Sequence, residues 1–171
     1  MFLRKTIAVV ASAAALSVGL VGTAEAAPRT LTYNSSGAGE FQAAVDRGAQ
    51  VWNNSVVNVR LVKVTGAANI TVTVDNQWPR AYVTSLGRGR WVMGRQAVNE
   101  GHDTTRISSH EFGHLLGLPD RRTGLCTDLM SGASAGTSCK NPNPNTREKA
   151  EVEANFRTAV TVGPSTYVDA A

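Results

Sequence analysis

The stretch SSHEFGHLLGLPD, residues 108–120, decides how this chain is read. His110 and His114 stand four positions apart. On a helix such positions lie one turn apart on a single face, so the two imidazoles can converge on one ion. Imidazole suits zinc. Glu111 follows the first histidine and is free to act on a water at the open position of a metal, as a general base. A catalytic zinc needs three protein ligands and one open position. Gly117 permits a sharp reversal of the chain after the helix, and Asp120 then offers an oxygen ligand three residues later. His102 is the remaining histidine and the competitor for that third place. It lies about two helical turns before His110, so it shares the site only if the helix starts late. The opposing reading makes these residues ordinary histidines of a core helix.

The helix around this stretch is expected to begin after Asp103 or Thr104, both good capping types, and to run to about Leu116. Ile107, Phe112, Leu115 and Leu116 cover more than one of its faces, which predicts burial on both sides. Gly117 and Pro119 end it. Upstream, RTLTYN (29–34) alternates as a first strand does. Phe41, Val45, Ala49 and Trp52 recur at helical spacing over residues 39–53. VVNVRLVKV (56–64) and NITVTV (69–74) read as two more strands, and residues 90–95 as another. Downstream, residues 120–145 lack periodicity and are rich in Gly, Ser, Asn and Pro, as a functional loop would be. A last helix is expected over residues 145–156, with Asn145 as cap and Glu148 three later. The remainder carries no clear signal and reads as a loose tail. The expected fold is α+β: a single domain with a mixed twisted sheet packed with about three helices.

The whole chain has 171 residues and a net charge of +4. Residues 1–26 read as a secretory signal peptide, with Arg4 and Lys5 before an apolar run and the small residues AEA at 24–26. The run is also near the lower length limit for a membrane anchor. Removal leaves 15 basic and 12 acidic residues. That mild excess makes no case for nucleic-acid binding. No membrane association is expected once the signal is gone, and the expected location is extracellular. Cys126 and Cys139 lie in the exported part, where oxidation is permitted and two thiols suffice for one bridge. Their alternative use is metal ligation, though no C-x-x-C pair is present.

HEFGHLLGLPD followed by CTDLMSG (126–132) resembles the snapalysins, small secreted neutral proteases of the metzincin type. The resemblance runs from about Thr30 to Phe156. It includes TYN (32–34), GAQVWNNSV (48–56), DTTR (103–106), both cysteines and NPNPN (141–145). It implies a metzincin-like zinc protease domain over residues 27–158, followed by a tail over 159–171. It implies zinc ligands His110, His114 and Asp120, Glu111 as catalytic base, Met130 as the Met-turn residue, and a Cys126–Cys139 bridge. It further implies a structural calcium held partly by Asp103 and Thr105, which read equally well as helix-capping groups. The implied activity is that of a monomeric secreted zinc metalloendopeptidase on protein or peptide substrates, with Tyr or Phe on the carboxyl side of the cut.

Two departures stand out. Where snapalysins commonly have a tyrosine two residues after the aspartate ligand, this chain has Arg122, preceded by Arg121. Arg122 is expected to take over stabilisation of the oxyanion, the alternative being a solvated surface charge. The domain-like sequence also begins soon after the expected cleavage site, so control by a pro-segment is not expected. A substrate is expected to lie extended along an edge strand, with residues 88–96 as that edge, and SGASAGTSC (131–139) to form one wall of the specificity pocket. Two other functions fit parts of the pattern. One is a catalytically weakened zinc-binding module that binds peptides. The other is a zinc hydrolase of non-peptide amides or esters.

Overall fold

A computed structural model describes residues 27–158 and 160–169. The expected signal peptide lies outside the described residues. Among those described, no helix is long and apolar enough to cross a membrane.

Six strands form one mixed sheet in the order β2-β1-β3-β5-β4-β6. β1 (Arg29–Gly37) pairs in parallel with β2 (Val59–Lys63) and β3 (Ile70–Asp75), and β3 in parallel with β5 (Arg88–Gly94). β4 (Arg80–Ser85) is antiparallel to β5 and, on its other side, to β6 (Ser165–Val168). The α+β class and the mixed sheet are as expected. The alternation in β1 and β3 does its expected work: Leu31, Tyr33, Ile70 and Val72 point inward and are buried.

Two strands were not legible locally. RAYVTS forms β4, joined to β5 by a tight turn in which Gly87 takes a positive φ of 76°. The short segment STYV in the expected loose tail forms β6. Both alter the expected substrate edge. Residues 88–96 do not lie on an edge: β5 pairs on both sides, and Trp91, Val92 and Met93 are buried. The strand outside it is β4, and β6 covers that.

Helix α1 (Gln42–Ser55) lies against α3 (Thr104–Leu115), with the five-residue α2 (Arg95–Asn99) between β5 and α3, and α4 (Thr146–Arg157) near the end. The contact of α1 with α3 needs a residue without a side chain. A Cβ on Gly48 would stand 2.6 Å from that of Ser108. Trp52, on the same face, donates its indole N–H to the Ser109 carbonyl at 2.8 Å. Every residue of α3 from Arg106 to Leu115 is buried, as the two-faced apolar pattern predicts. The helix that carries the histidines is therefore the core of the domain, fixed from α1 on one side and from the sheet on the other.

Candidate active site

Asp103 caps α3: its Oδ1 accepts the backbone N–H groups of Thr105 at 3.0 Å and Arg106 at 2.9 Å. Thr105 Oγ1 accepts from Arg47 Nε at 3.1 Å. The two residues linked by resemblance to calcium are thus engaged in capping and in a contact with a guanidinium, a cationic neighbour that disfavours a second cation.

His110 and His114 face each other one turn apart, with their Nε2 atoms 3.0 Å from one another. The other ring nitrogen of each is held by a backbone carbonyl, His110 Nδ1 by Leu129 at 3.0 Å and His114 Nδ1 by Leu118 at 2.9 Å. Donation from Nδ1 leaves both Nε2 lone pairs pointing at the same place. Asp120 reaches that place from beyond Gly117, which adopts a φ of 94°. Its Oδ1 lies 3.3 Å from His110 Nε2 and 3.6 Å from His114 Nε2. That oxygen is buried and has no hydrogen bond, and neither carboxylate oxygen of Glu111 has one. Two facing lone pairs and three orphaned carboxylate oxygens form a poor protein interior. They fit a divalent cation and a water bound to it.

The electrostatics agree with this fit. Burial alone would lower the His110 pKa, but Asp169, Asp120 and Glu111 outweigh it and lift it to about 9. Burial and the charge on His110 push His114 down to about 3. The pair therefore holds one proton beyond the two Nδ1 protons, in the position a metal cation would take. Burial raises Glu111 well above the usual carboxylate range. Burial would also raise Asp120, but the close approach of the histidines and the charge of Arg122 prevail and lower it.

Met130 lies beneath α3, fully buried. A Cβ on Gly113 would stand 2.7 Å from its sulfur, so the glycine between the two histidines makes room for it. Cys126 and Cys139 are bonded to each other, closing the loop that contains the methionine. Two side chains that the sequence reading did not single out for this role hold the loop. Arg106 is buried and donates to the carbonyls of Asn141 at 2.6 Å and Asp128 at 2.8 Å. Glu148 completes the expected capping box with Asn145. Its carboxylate is also fully buried and accepts from the N–H groups of Met130 at 2.7 Å and Leu129 at 3.2 Å.

The remaining residues fall as follows. His102 stacks edge-on to Trp78, ring centroids 5.7 Å apart, and does not belong to the His110–His114–Asp120 group. Arg121 turns away to pair with Glu151 on α4. Arg122, at a φ of 45°, remains at the site: its guanidinium is 3.4 Å from Asp120 Oδ2 and donates to the Val168 carbonyl at 2.7 Å. Asp169 was not foreseen at all. It forms a second cluster of possible ligand atoms with His110 and Glu111, all within 4.8 Å of one another.

A family profile described as the Streptomyces extracellular neutral proteinase (M7) family matches residues 28–158. The chain belongs to this family. Among its relatives is the extracellular small neutral protease of Streptomyces caespitosus, 41% identical over 126 residues that span 73% of this chain and 95% of that one. The protein of the same description from Streptomyces sp. (strain C5) is 41% identical over 124 residues, 72% of this chain. The match spans only 54% of the strain C5 protein, so the chain covers about half the length of that relative. The fold is also that of archaemetzincin from Methanopyrus kandleri, with a TM-score of 0.53 over 77% of this chain and 97% of the other, at 14% identity. Membership of the M7 family agrees with the snapalysin resemblance carried by the motifs around residues 108–132.

Proposed function

We propose that this chain is a secreted zinc metalloendopeptidase, with His110, His114 and Asp120 as metal ligands and Glu111 as general base. The observation that carries this reading is the convergence of two Nε2 lone pairs with unpartnered oxygens of Asp120 and Glu111 in one buried place. Membership of a family of extracellular neutral proteinases supports both the activity and the export.

When bound, zinc supplies Lewis acidity, polarising the scissile carbonyl and making a water acidic enough to attack near neutral pH. The chain's own residues do the rest. Leu129 and Leu118 fix the tautomers of the histidines. Glu111, desolvated and beside His110, takes a proton from the attacking water at one Oε and delivers it to the leaving amine. Arg122 stands at the rim, where a fixed positive charge opposes the charge that develops on the carbonyl oxygen. An unpartnered buried base favours hydrolysis over a mere peptide-binding module, which has no need of one. Calcium has no part in this reading.

The preference for an aromatic residue on the carboxyl side of the cut rests on the snapalysin resemblance. The pocket next to His110, lined by Ile107, Gly132, Ala133 and Asp169, has room for about one water in this conformation, so a ring enters only if Asp169 leaves. The test is to map cleavage of a mixed peptide library by the zinc-loaded chain. Cuts before Tyr or Phe that vanish with a chelator are the expected result. Cuts without that bias would remove the aromatic preference, and no chelator-sensitive cuts at all would remove the peptidase.

A further inference from the structure

An extended peptide docking on this sheet needs an edge strand beside the metal site, and β4 is that strand. In this chain the place is already taken. β6 lies antiparallel to β4 with Val83 opposite Ser165, Ala81 opposite Tyr167 and Arg80 opposite Val168. We propose that residues 165–169 are a built-in occluding strap, which occupies the substrate's position and must be displaced or trimmed before the cleft can work. This rests on the peptidase reading above.

Three further contacts tie the strap to the reacting groups and not merely to the sheet. The Tyr167 ring lies flat on the His114 imidazole, centroids 4.0 Å apart and planes 4° from parallel. The Val168 carbonyl accepts from Arg122 at 2.7 Å. Asp169 is 5% exposed, and its carboxylate sits beside His110 and Glu111. There its Oδ1 accepts from the Ala133 N–H at 2.9 Å, while its own N–H donates to the Pro79 carbonyl at 3.0 Å. The seat for that carboxylate is shaped for it. Gly132 holds a φ of 58°, and a Cβ there would stand 2.2 Å from Asp169 Oδ1.

The strap has the build of something that can leave. Its strand is four residues long, with residues alternating between half-buried and exposed, and has β4 as its sole strand partner among the described residues; Asp169 beyond it is the one buried residue. Short segments with few buried contacts open at low cost. It also lies beyond residue 158, where the match to the family ends. Arg122, the departure from the family pattern, is the residue that reaches it.

An intramolecular competitor raises the apparent KM by the inverse of the fraction of open molecules and leaves kcat alone. The experiment compares three zinc-loaded proteins on an internally quenched peptide: the full chain, a chain ending at Gly163, and the full chain with Tyr167→Ala and Asp169→Ala. The strap predicts a kcat/KM about tenfold higher or more in both altered forms, carried by KM, since a strap closed nine-tenths of the time leaves a tenth of the sites open. A readout that needs no turnover runs beside it. A labelled synthetic peptide of residues 164–171 should bind the metal-free shortened chain and fail to bind the metal-free full chain. Unchanged or lower kcat/KM in folded variants, with no binding of the peptide, overturns the strap. If the shortened chain does not fold, the double variant decides alone. A full chain that cleaves no more slowly than its variants sinks only the strap; proteins that all bind zinc and cleave nothing sink the peptidase reading and the strap with it.

Discussion

Glu148 lies far from the reacting centre in sequence, yet its removal should be felt there. Its carboxylate accepts three backbone N–H groups, those of Asn145 at 2.7 Å, Met130 at 2.7 Å and Leu129 at 3.2 Å. Glu148→Ala leaves the Met130 and Leu129 donors without partners in a fully buried place, and the Asn145 donor without one in a half-buried place. A buried donor left unsatisfied costs roughly 1–3 kcal/mol. Partial relaxation puts the total near the lower end, about 3–5 kcal/mol. For a domain of this size each kcal/mol is worth roughly 3–4 °C, so the melting temperature should fall by about 10–20 °C. The second consequence is specific to the site. Leu129 gives its N–H to Glu148 and its carbonyl to His110 Nδ1. Loosening that turn frees the His110 ring, and disturbing such outer partners costs about 10- to 100-fold in metal affinity. Thermal melts followed by circular dichroism in EDTA read the first effect, and zinc titration calorimetry the second. Glu148→Gln, which keeps one acceptor oxygen, should fall between. A variant that melts within about 2 °C of the parent and binds zinc equally well would refute the chain of contacts from α4 to His110.

Other outcomes follow from the same geometry. Glu111→Gln should still bind zinc but lose about 10²- to 10⁴-fold in kcat, the usual worth of a positioned base; equal kcat would exclude Glu111 from proton transfer. Asp103→Ala should cost about 1 kcal/mol through the lost cap, and added calcium should not change the melting temperature of either form; a rise with calcium in the parent alone would restore the calcium site. In the shortened chain, Arg122→Ala should lower kcat if the guanidinium opposes the oxyanion's charge and leave kcat unchanged if it serves the tail alone. The His110 pKa, raised to about 9 in the metal-free fold, stabilises that fold fully below about pH 6.5 and progressively less as pH climbs toward 9. Urea midpoints in EDTA should therefore fall across that window; midpoints that rise would show that His110 is not the proton holder.

Much of the site could be read from residues 108–120, because a helix converts a spacing of four into a shared face and Gly117 signals the reversal that returns Asp120. Burial of α3 followed from apolar residues on two sides, and the capping box of α4 from Asn145 and Glu148. What escaped the reading depends on pairing across long separations. Nothing local in RAYVTS says that it lies between β5 and a strand more than eighty residues later. Without β4, residues 88–96 looked like an edge. Nothing in STYVDAA announces that Asp169 will seat beside His110, since its partners are a backbone N–H of residue 133 and a glycine that leaves room. Arg106 shows in sequence only as a charge in the first turn of a helix. Its burial becomes evident when the carbonyls of the loop over residues 120–145 are seen converging on it. Glu148 had a sufficient local explanation as a cap, which concealed its hold on the Met130 turn.

The most direct test of the central claim is casein hydrolysis by the zinc-loaded chain ending at Gly163, beside the same chain carrying Glu111→Gln. Cleavage that the chelator abolishes and the substitution removes, with one zinc retained by both proteins, is the predicted result. A folded, zinc-loaded chain that leaves casein and short peptides intact would contradict the account and leave a metal-binding domain without peptidase chemistry.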